Sequence, residues 1–337
     1  VLYEHNSHER LPMASVTKLM CLLIWAEEME KGTFDMETVI TATARANAMD
    51  GSVIWLNVGE EMSAYDMIRS VIIASANDAC VAVCEYITGT EEMFVERMNK
   101  RAQELGMSDT HYDNCVGFDS DTHYTSAYDT AILSAAVSEY DCYNEFFATR
   151  LDYVREGERQ TQLLNTNKLM QRYDGIIGGK TGTTDKAGCC LAVWAKRGNM
   201  KLCAVALGCK ESEQRFTACT DLLNYGFSGF ELYRTAVDSD VLTPVTVTEG
   251  LEKQADIRVK RLNTIVIPKG SSKRIEYTHT VVDSLSAPVQ YGEKVGEVRA
   301  SLDGEEIFYS DIVTTGEVGE LNFFSSLLII IRRFFSM

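Results

Sequence analysis

The chain has 337 residues, of which 45% are hydrophobic and 24% are charged, and its formal net charge is −17. This length exceeds what one hydrophobic core usually needs, so we expect a large domain and a smaller one. The acidic balance argues against nucleic acid as a partner, because binding it needs a basic surface that neutralises phosphates. The composition also leaves little room for long disordered segments.

The first half of the chain is predicted to be mainly helical. Apolar residues are dense between positions 16 and 31 and stop at Gly32, which is typical of a buried helix that ends at a glycine. Ser15 stands immediately before this helix, where an N-cap serine is expected. Further helices are predicted over residues 65–74, 79–87, 91–105 and 126–137.

From Ile176 the pattern changes to strands, predicted at 180–184, 188–195 and 200–208. Turn residues 196–199 join the last two strands as a hairpin, so the sheet is expected to be at least partly antiparallel. A helix over 216–226 follows. After residue 239, five or six short strands separated by turn residues predict a small all-β sandwich.

These elements predict an α+β fold in three parts. The first part, residues 1–238, is expected to contain an antiparallel sheet flanked by helices and a helical subdomain. Residues 239–318 form the β-rich domain, and residues 319–337 form an apolar segment. At the other end, the first three residues have the pattern of the middle of a strand, so we expect an N-terminal segment to precede them.

The apolar segment contains two adjacent arginines, Arg332 and Arg333. Its apolar run is shorter than the roughly 20 residues that cross a bilayer. We therefore predict that residues 319–337 bind to a membrane surface, with the arginines near lipid phosphates. Two alternatives stay open, namely a helix that docks on the protein and a spanning helix of which this sequence holds only a part.

The chain contains ten cysteines, several of them in apolar stretches, such as Cys80 and Cys84. Their spacing matches no common metal-binding pattern, and we expect neither a metal nor an organic cofactor. Most cysteines are predicted to be reduced, buried, small hydrophobic residues. A single disulfide between two of them stays an open alternative.

Ser15 and Lys18 place a hydroxyl and an amine one helical turn apart on the same face. Serine is a poor nucleophile unless a base takes its proton, and lysine can do so when burial or a second cation lowers its pKa. Ser-x-x-Lys alone is common by chance. It then usually reflects a capping serine followed by a solvated lysine.

Two further motifs follow in order, Ser75-Ala76-Asn77 between two predicted helices and Lys180-Thr181-Gly182 on a predicted strand. Ser-x-x-Lys, Ser-x-Asn and Lys-Thr-Gly together form the set associated with penicillin-binding proteins and serine β-lactamases. Gly182 is predicted to leave the strand edge open to a peptide that adds as a further strand. Lys180 is predicted to face the serine and to help keep Lys18 neutral, because like charges disfavour the charged form.

Residues 11–20, 74–79 and 174–182 are similar to the corresponding segments of D-alanyl-D-alanine carboxypeptidases of the low-molecular-mass penicillin-binding family. The resemblance covers about residues 1–235, and the β-rich remainder resembles the C-terminal domain of these enzymes. It implies a β-lactamase/D,D-peptidase-like fold. One departure is the segment 114–118, Asn-Cys-Val-Gly-Phe, where the family has Asn-Pro-x-Gly-Leu.

The resemblance implies a role for each matching residue. Ser15 would be acylated with Lys18 as its base, and Ser75 and Asn77 would assist. Backbone N–H groups of Ser15 and Thr183 would form the oxyanion hole. The remaining catalytic and substrate-binding positions that it implies are Lys180, Thr181, Gly182, Thr183 and Arg215, with Arg215 as the residue that recognises a carboxylate.

The implied enzyme removes the terminal D-alanine from peptidoglycan stem peptides ending in D-Ala-D-Ala, and β-lactams inhibit it covalently. It would act at the outer face of the bacterial cytoplasmic membrane. Alternatives are a serine β-lactamase, although Glu139 and Glu145 lie in no recognisable water-activating motif, and a wall-peptide binding protein or envelope regulator without turnover. His111 and His123 are predicted to be structural, because a lysine already fills the role of base.

Overall fold

The computed structural model describes residues 1–237 and 241–323. The chain forms two compact units, Val1–Phe227 and Ser228–Met337. The first unit is mixed α and β and the second is all-β within the described residues, which confirms the predicted fold class.

Helices of the first unit begin at polar capping residues, as the side chains of Ser63, Thr90 and Ser126 each accept a hydrogen bond from a backbone N–H three residues on. The helices are α1 Lys18–Glu30, α2 Ala44–Asn47, α3 Ala64–Ala74, α4 Asn77–Thr88, α5 Glu91–Glu104, α6 Ala127–Val137, α7 Asn144–Ala148, α8 Leu169–Arg172 and α9 Ser212–Gly229. The strands are β1 Val39–Thr41, β2 Glu61–Ser63, β3 Leu151–Val154, β4 Thr161–Leu164, β5 Ile176–Thr184, β6 Gly188–Arg197 and β7 Met200–Cys209.

Helix α1 lies at the centre of the first unit. Every residue from Lys18 to Ala26 is buried, which agrees with the apolar density of this segment. The prediction that Ser15 caps the helix is wrong. Ser15 lies inside the 3-10 turn Ala14–Thr17, and its hydroxyl contacts the side chain of Lys18 instead of a backbone N–H.

The main sheet of this unit is antiparallel, in the order β5-β6-β7. Strands β6 and β7 form the predicted hairpin, closed by the pair Arg197 and Met200. Strand β5 is an edge strand, and it packs against the turn Ala14–Thr17. The strand predicted near the N-terminus is absent from the first unit, since Val1–Tyr3 forms no ladder with any described residue.

The second unit contains three sheets within its described residues, in the orders β10-β9-β14, β11-β16-β15-β13 and β12-β8. Its strands are β8 Phe230–Arg234, β9 Val245–Thr248, β10 Gln254–Ala255, β11 Ile257–Val259, β12 Thr264–Pro268, β13 Ile275–Val281, β14 Ser284–Ser286, β15 Lys294–Leu302 and β16 Glu305–Thr314. Inward-facing aliphatic residues of these strands, such as Val298 and Ile312, form the core of the unit.

Most of the apolar segment predicted to bind a membrane, residues 324–337, lies outside the described residues. In the part of the chain that the structure describes, no helix combines the length and the apolar character needed to cross a bilayer.

Candidate active site

The site is centred on Ser15 and Lys18, at the point where the 3-10 turn passes into helix α1. Ala14 has a positive φ of 49°, which is uncommon for a residue with a side chain and marks a constrained backbone next to the serine. Nζ of Lys18 lies 2.8 Å from Oγ of Ser15. The Lys18 side chain is fully buried, and this burial lowers its pKa.

Two further acceptors orient the amine of Lys18. Its Nζ donates to Oδ1 of Asn77 at 2.7 Å and to the carbonyl oxygen of Val116 at 2.8 Å. A neutral amine has two N–H groups and one lone pair. In the neutral form of Lys18, the two N–H groups can donate to Asn77 and Val116, which leaves the lone pair toward Ser15 and places Lys18 to accept the hydroxyl proton.

Ser75 and Asn77 lie at the junction of helices α3 and α4. Ser75 ends α3 in the left-handed conformation, with φ of 64°, and Asn77 is the first residue of α4. The amide Nδ2 of Asn77 donates to the carbonyl oxygen of Asp50 at 2.7 Å. This bond fixes the amide orientation that presents Oδ1 to Lys18.

The second lysine, Lys180, reaches the site from strand β5. Its Nζ donates to Oγ of Ser75 at 2.9 Å and to the carbonyl oxygen of Thr181 at 2.9 Å. Burial, followed by the positive charge of Lys18, holds the pKa of Lys180 well below its usual range. The structure therefore brings together both lysines and the hydroxyl of Ser75 in one buried polar cluster.

Gly182 lies where strand β5 passes closest to the serine. A Cβ atom at this position would lie 2.7 Å from the carbonyl oxygen of Met13 and 2.9 Å from the backbone nitrogen of Ser15. The prediction gave substrate access as the reason for glycine here. The structure adds a different one, because any side chain would push the strand away from the nucleophile.

Thr181 and Thr183 lie in the C-terminal half of strand β5, and Arg215 packs against this half from helix α9. The hydroxyl of buried Thr181 donates to Oγ1 of Thr166 at 2.6 Å, whereas Thr183 is exposed. Nη1 of Arg215 contacts Oγ1 of Thr183 at 3.0 Å and donates to the carbonyl oxygen of Gly182 at 2.8 Å. Arg215 is only 8% exposed, so it supports this strand from within, and its role toward a carboxylate stays a prediction.

Three supporting residues were not identified as part of the site from the sequence. The carbonyl of Val116 contacts Lys18, and the carboxylate of Asp78 accepts hydrogen bonds from the backbone N–H groups of Ile54 and Leu56. Nε2 of His123 lies 2.8 Å from Oγ1 of Thr17. A Ser-x-Asn-Asp pattern was visible in the sequence, but nothing there indicated a partner for Asp78.

His123 and His111 make hydrogen-bond contacts within the protein. The backbone N–H of Asp113 donates to Nδ1 of His123, so the ring proton sits on Nε2 and points to Thr17. Burial lowers the pKa of His123 to about 4. His111 is exposed, and its ring contacts the carbonyl oxygen of Thr122.

Within the described residues, one group has ligands arranged as for a metal ion, the thiols of Cys21, Cys80 and Cys84. They lie next to Lys18 in the interior and belong to none of the three motifs described above. All ten cysteines are free, so the open alternative of a disulfide is not realised in this structure. The site itself combines a hydroxyl, a buried amine and amide groups, which suits nucleophilic acyl transfer to serine.

Comparison with known proteins agrees with this chemistry. The sequence profile of a family described as D-alanyl-D-alanine carboxypeptidase matches residues 1–211, and that of the penicillin-binding protein 5 C-terminal domain matches residues 230–320. D-alanyl-D-alanine carboxypeptidase DacF of Bacillus subtilis is 36% identical over 97% of this chain and 85% of its own length. DacA of Escherichia coli is 31% identical over 99% of this chain and 84% of its own length.

Solved structures show the same relationship. Penicillin-binding protein 5 of Haemophilus influenzae superposes with a TM-score of 0.82 at 28% identity, covering 94% of this chain and 93% of the other. Penicillin-binding protein 6B of Escherichia coli superposes with a TM-score of 0.75 at 26% identity, covering 92% of this chain and 90% of the other. With a serine, a buried lysine and an edge strand in one site and both family profiles matched in order, the chain belongs to the D-alanyl-D-alanine carboxypeptidase family of serine peptidases.

Proposed function

We propose that this protein hydrolyses the terminal peptide bond of peptides ending in D-Ala-D-Ala and releases D-alanine. The observation that carries this proposal is the arrangement of Lys18, whose Nζ lies 2.8 Å from Oγ of Ser15 while its other contacts occupy both N–H groups. Family membership supplies the substrate class.

The first half of the reaction acylates Ser15. Its Oγ attacks the carbonyl carbon of the penultimate D-alanine, and the hydroxyl proton passes to Nζ of Lys18. Backbone N–H groups of Ser15 and Thr183 stabilise the oxyanion that forms. Protonated Lys18 then passes this proton by way of the hydroxyl of Ser75 to the nitrogen of the terminal D-alanine, which leaves as an amine, and Lys18 becomes neutral again. Ser75 is held for this step by the hydrogen bond of 2.9 Å that it accepts from Lys180.

The second half releases the product. A water molecule attacks the ester on Ser15, neutral Lys18 takes a proton from that water, and Lys18 then gives this proton to Oγ of Ser15 as the ester bond breaks. The overall reaction consumes one water and returns both side chains to their starting states. No group outside the protein, substrate and water is needed to balance these steps.

Substrate binding is proposed to use the free edge of strand β5. An extended peptide can hydrogen bond to an edge strand as an added strand, and β5 pairs only with β6 among the described residues. Lys180, Thr181, Thr183 and Arg215 line the end of this strand and supply hydroxyl groups and positive charge for the terminal carboxylate.

The biological setting is part of the proposal. Peptidoglycan stem peptides are the proposed substrates and β-lactams the proposed covalent inhibitors, at the outer face of the cytoplasmic membrane. The apolar sequence and paired arginines at residues 323–335 support binding of the C-terminal segment to a membrane surface. Co-sedimentation with anionic lipid vesicles tests this point, and equal binding by a chain ending at residue 318 would contradict it.

The enzymatic proposal is tested by intact-mass measurement after incubation with benzylpenicillin, together with D-alanine release from a peptide ending in D-Ala-D-Ala. We expect one slowly hydrolysed adduct on Ser15 and steady release of D-alanine. Ser15→Ala, which removes only a hydroxyl, should lose both while it keeps the folded circular dichroism spectrum.

Each alternative function gives a different result in the same assay. Rapid release of hydrolysed drug without D-alanine release indicates a β-lactamase. An adduct with no turnover of peptide indicates a binding protein, and either result would overturn the proposal.

A further inference from the structure

Four cysteines of the first unit meet in the interior next to the catalytic lysine. The sulfur atoms of Cys21, Cys80 and Cys84 all lie within 4.8 Å of one another. Cys115 adjoins this group, since Sγ of Cys80 lies 3.5 Å from its carbonyl oxygen. All four side chains are 0% exposed, and all four are free thiols. We refer to them as the thiol cluster.

We propose that the thiol cluster is a binding site for one thiophilic metal ion, with Zn²⁺ as the ion best suited to it. This inference is independent of the peptidase activity, because none of the four cysteines takes part in the proposed reaction.

The number and type of ligands support the proposal. Four cysteine sulfurs around one centre form a set that binds zinc in closed, tetrahedral structural sites. With Zn–S bonds of about 2.3 Å, two sulfurs of such a site are about 3.8 Å apart. The separations among the sulfurs of Cys21, Cys80 and Cys84, at most 4.8 Å, therefore need to shorten by no more than about 1 Å. The sulfur of Cys115 lies outside that group and must turn toward it by rotation of its side chain.

The backbone already holds the ligands on three separate elements. Cys21 lies one turn after Lys18 on α1, Cys80 and Cys84 lie one turn apart on α4, and Cys115 comes from the loop before α6. A thiol of this group also contacts the loop backbone, as Sγ of Cys21 lies 3.2 Å from the carbonyl oxygen of Cys115. These separate origins explain why no metal-binding spacing was visible in the sequence.

The position and contacts of Cys115 provide an independent reason to propose a metal site. It occupies the position where the family pattern has proline, and proline has no side chain that binds metal. Both its backbone N–H and its thiol contact Oε1 of Glu91, a buried carboxylate that is paired with Arg45. Glu91 can accept the thiol proton or hydrogen bond to the backbone of a metal-bound Cys115, as residues around metal ligands commonly do.

Binding of the metal ion exchanges thiol protons for metal–sulfur bonds and needs no oxidant. The cluster loses up to four thiol protons to solvent as the metal forms bonds to the four sulfur atoms. Because the cluster joins α1, α4 and the 114–117 loop, a bound ion cross-links the three elements that position Lys18. A metal that binds the folded chain alone should therefore stabilise the first unit.

The test is to produce the full chain in medium supplemented with Zn²⁺ or Co²⁺ and to measure metal content and absorption. We expect one ion per chain, and for Co²⁺ the visible bands of a tetrahedral ion with sulfur-to-metal charge transfer in the near ultraviolet. Tryptophan fluorescence should show a higher melting temperature for the first unit with metal than without it.

Matched variants locate the ion. Cys84→Ser and Cys115→Ser should lose the metal and the charge-transfer band. Cys219→Ala should retain both, because Cys219 is equally buried but contacts the carbonyl oxygens of Leu191 and Ala204. Cys142→Ser should also retain the metal and the charge-transfer band, which would show that the exposed thiol of Cys142 does not bind the ion.

The wild-type protein alone can refute the proposal, even if a variant fails to fold. Substoichiometric metal together with ten free thiols after denaturation would mean that the cysteines act only as small core residues. A mass two hydrogens lower in the purified chain would mean that the cluster forms a disulfide instead. A Co²⁺ spectrum without sulfur charge transfer would place the ion elsewhere.

Discussion

Two lysines of the first unit and one of the second have opposite environments. Lys18 and Lys180 of the first unit are buried, and their pKa values are lowered, first of all by burial. Lys294 of the second unit is half exposed, and hydrogen bonds to Asp311 and Tyr309 raise its pKa. Burial therefore favours the neutral form of this side chain at two positions of the first unit, and hydrogen bonds to Asp311 and Tyr309 favour its charged form at Lys294.

The contrast extends to all charged residues. The first unit buries Asp78, Glu91 and Arg215 as well as Lys18 and Lys180, and each has hydrogen-bond partners. Among the described residues of the second unit, no charged side chain is buried. Buried charges are expensive unless they are paired, so their concentration in one unit marks where chemistry takes place.

The largest expected effect comes from the same substitution made in both units. Lys18→Met should lower the rate of D-alanine release by roughly 10³-fold, because a positioned base typically contributes 10²–10⁴-fold. Lys294→Met should leave the rate unchanged. A coupled assay of D-alanine release from a peptide ending in D-Ala-D-Ala gives both rates, and equal loss in the two variants would contradict the contrast.

A matched pair of glycines gives the next effect. Gly182→Ala places a Cβ 2.7 Å from the carbonyl oxygen of Met13, so strand β5 must move away from Ser15. We expect roughly a hundredfold slower acylation, since a displacement of about 1 Å in an active site can cost that much. Gly316→Ala in the second unit meets no atom within 4 Å and should have no effect. Normal acylation by Gly182→Ala would show that this strand adapts without cost.

Arginines offer the third comparison. Arg215→Ala removes donors from the carbonyl oxygens of Gly182 and Cys190 and should slow D-alanine release roughly tenfold to hundredfold, because a hydrogen bond to a charged group is worth about 1.5–3 kcal/mol. Arg299→Ala, on an exposed strand, should have no effect. If Arg215 also recognises the terminal carboxylate, an amidated peptide should lose less activity than the free acid. Equal losses on both peptides would leave only the supporting role.

The sequence predicted elements and motifs well and contacts poorly. Helix α1 and strands β6 and β7 could be predicted because their apolar patterns match their burial. The contact of Lys18 with the carbonyl of Val116 could not, since every residue has a carbonyl and only the folded loop selects this one. The prediction that Ser15 caps the helix fails for a different reason. The spacing of residues does not distinguish a 3-10 turn from the start of an α-helix.

Substitution of His123 is expected to have the smallest effect on the catalytic rate. The prediction made for it concerns how the free energy of unfolding depends on pH. The pKa of His123 is about 4 in the folded protein, below the unperturbed value of about 6.5, because its ring is buried. Between these values the unfolded chain binds a proton that the folded chain does not, so the free energy of unfolding falls as the pH falls. The total loss is about 3 kcal/mol, and it levels off below about pH 4.

Tryptophan fluorescence can follow this transition in the first unit alone, because all three tryptophans, Trp25, Trp55 and Trp194, lie there. Urea titrations from pH 7 to pH 4 should show the decline in the wild type and a much flatter profile in His123→Gln. The control His279→Gln, on exposed strand β13, should follow the wild type. An unchanged slope in His123→Gln would assign the acid sensitivity of the catalytic unit to its carboxylates, whose buried pairs lose their charge in the same direction as the pH falls.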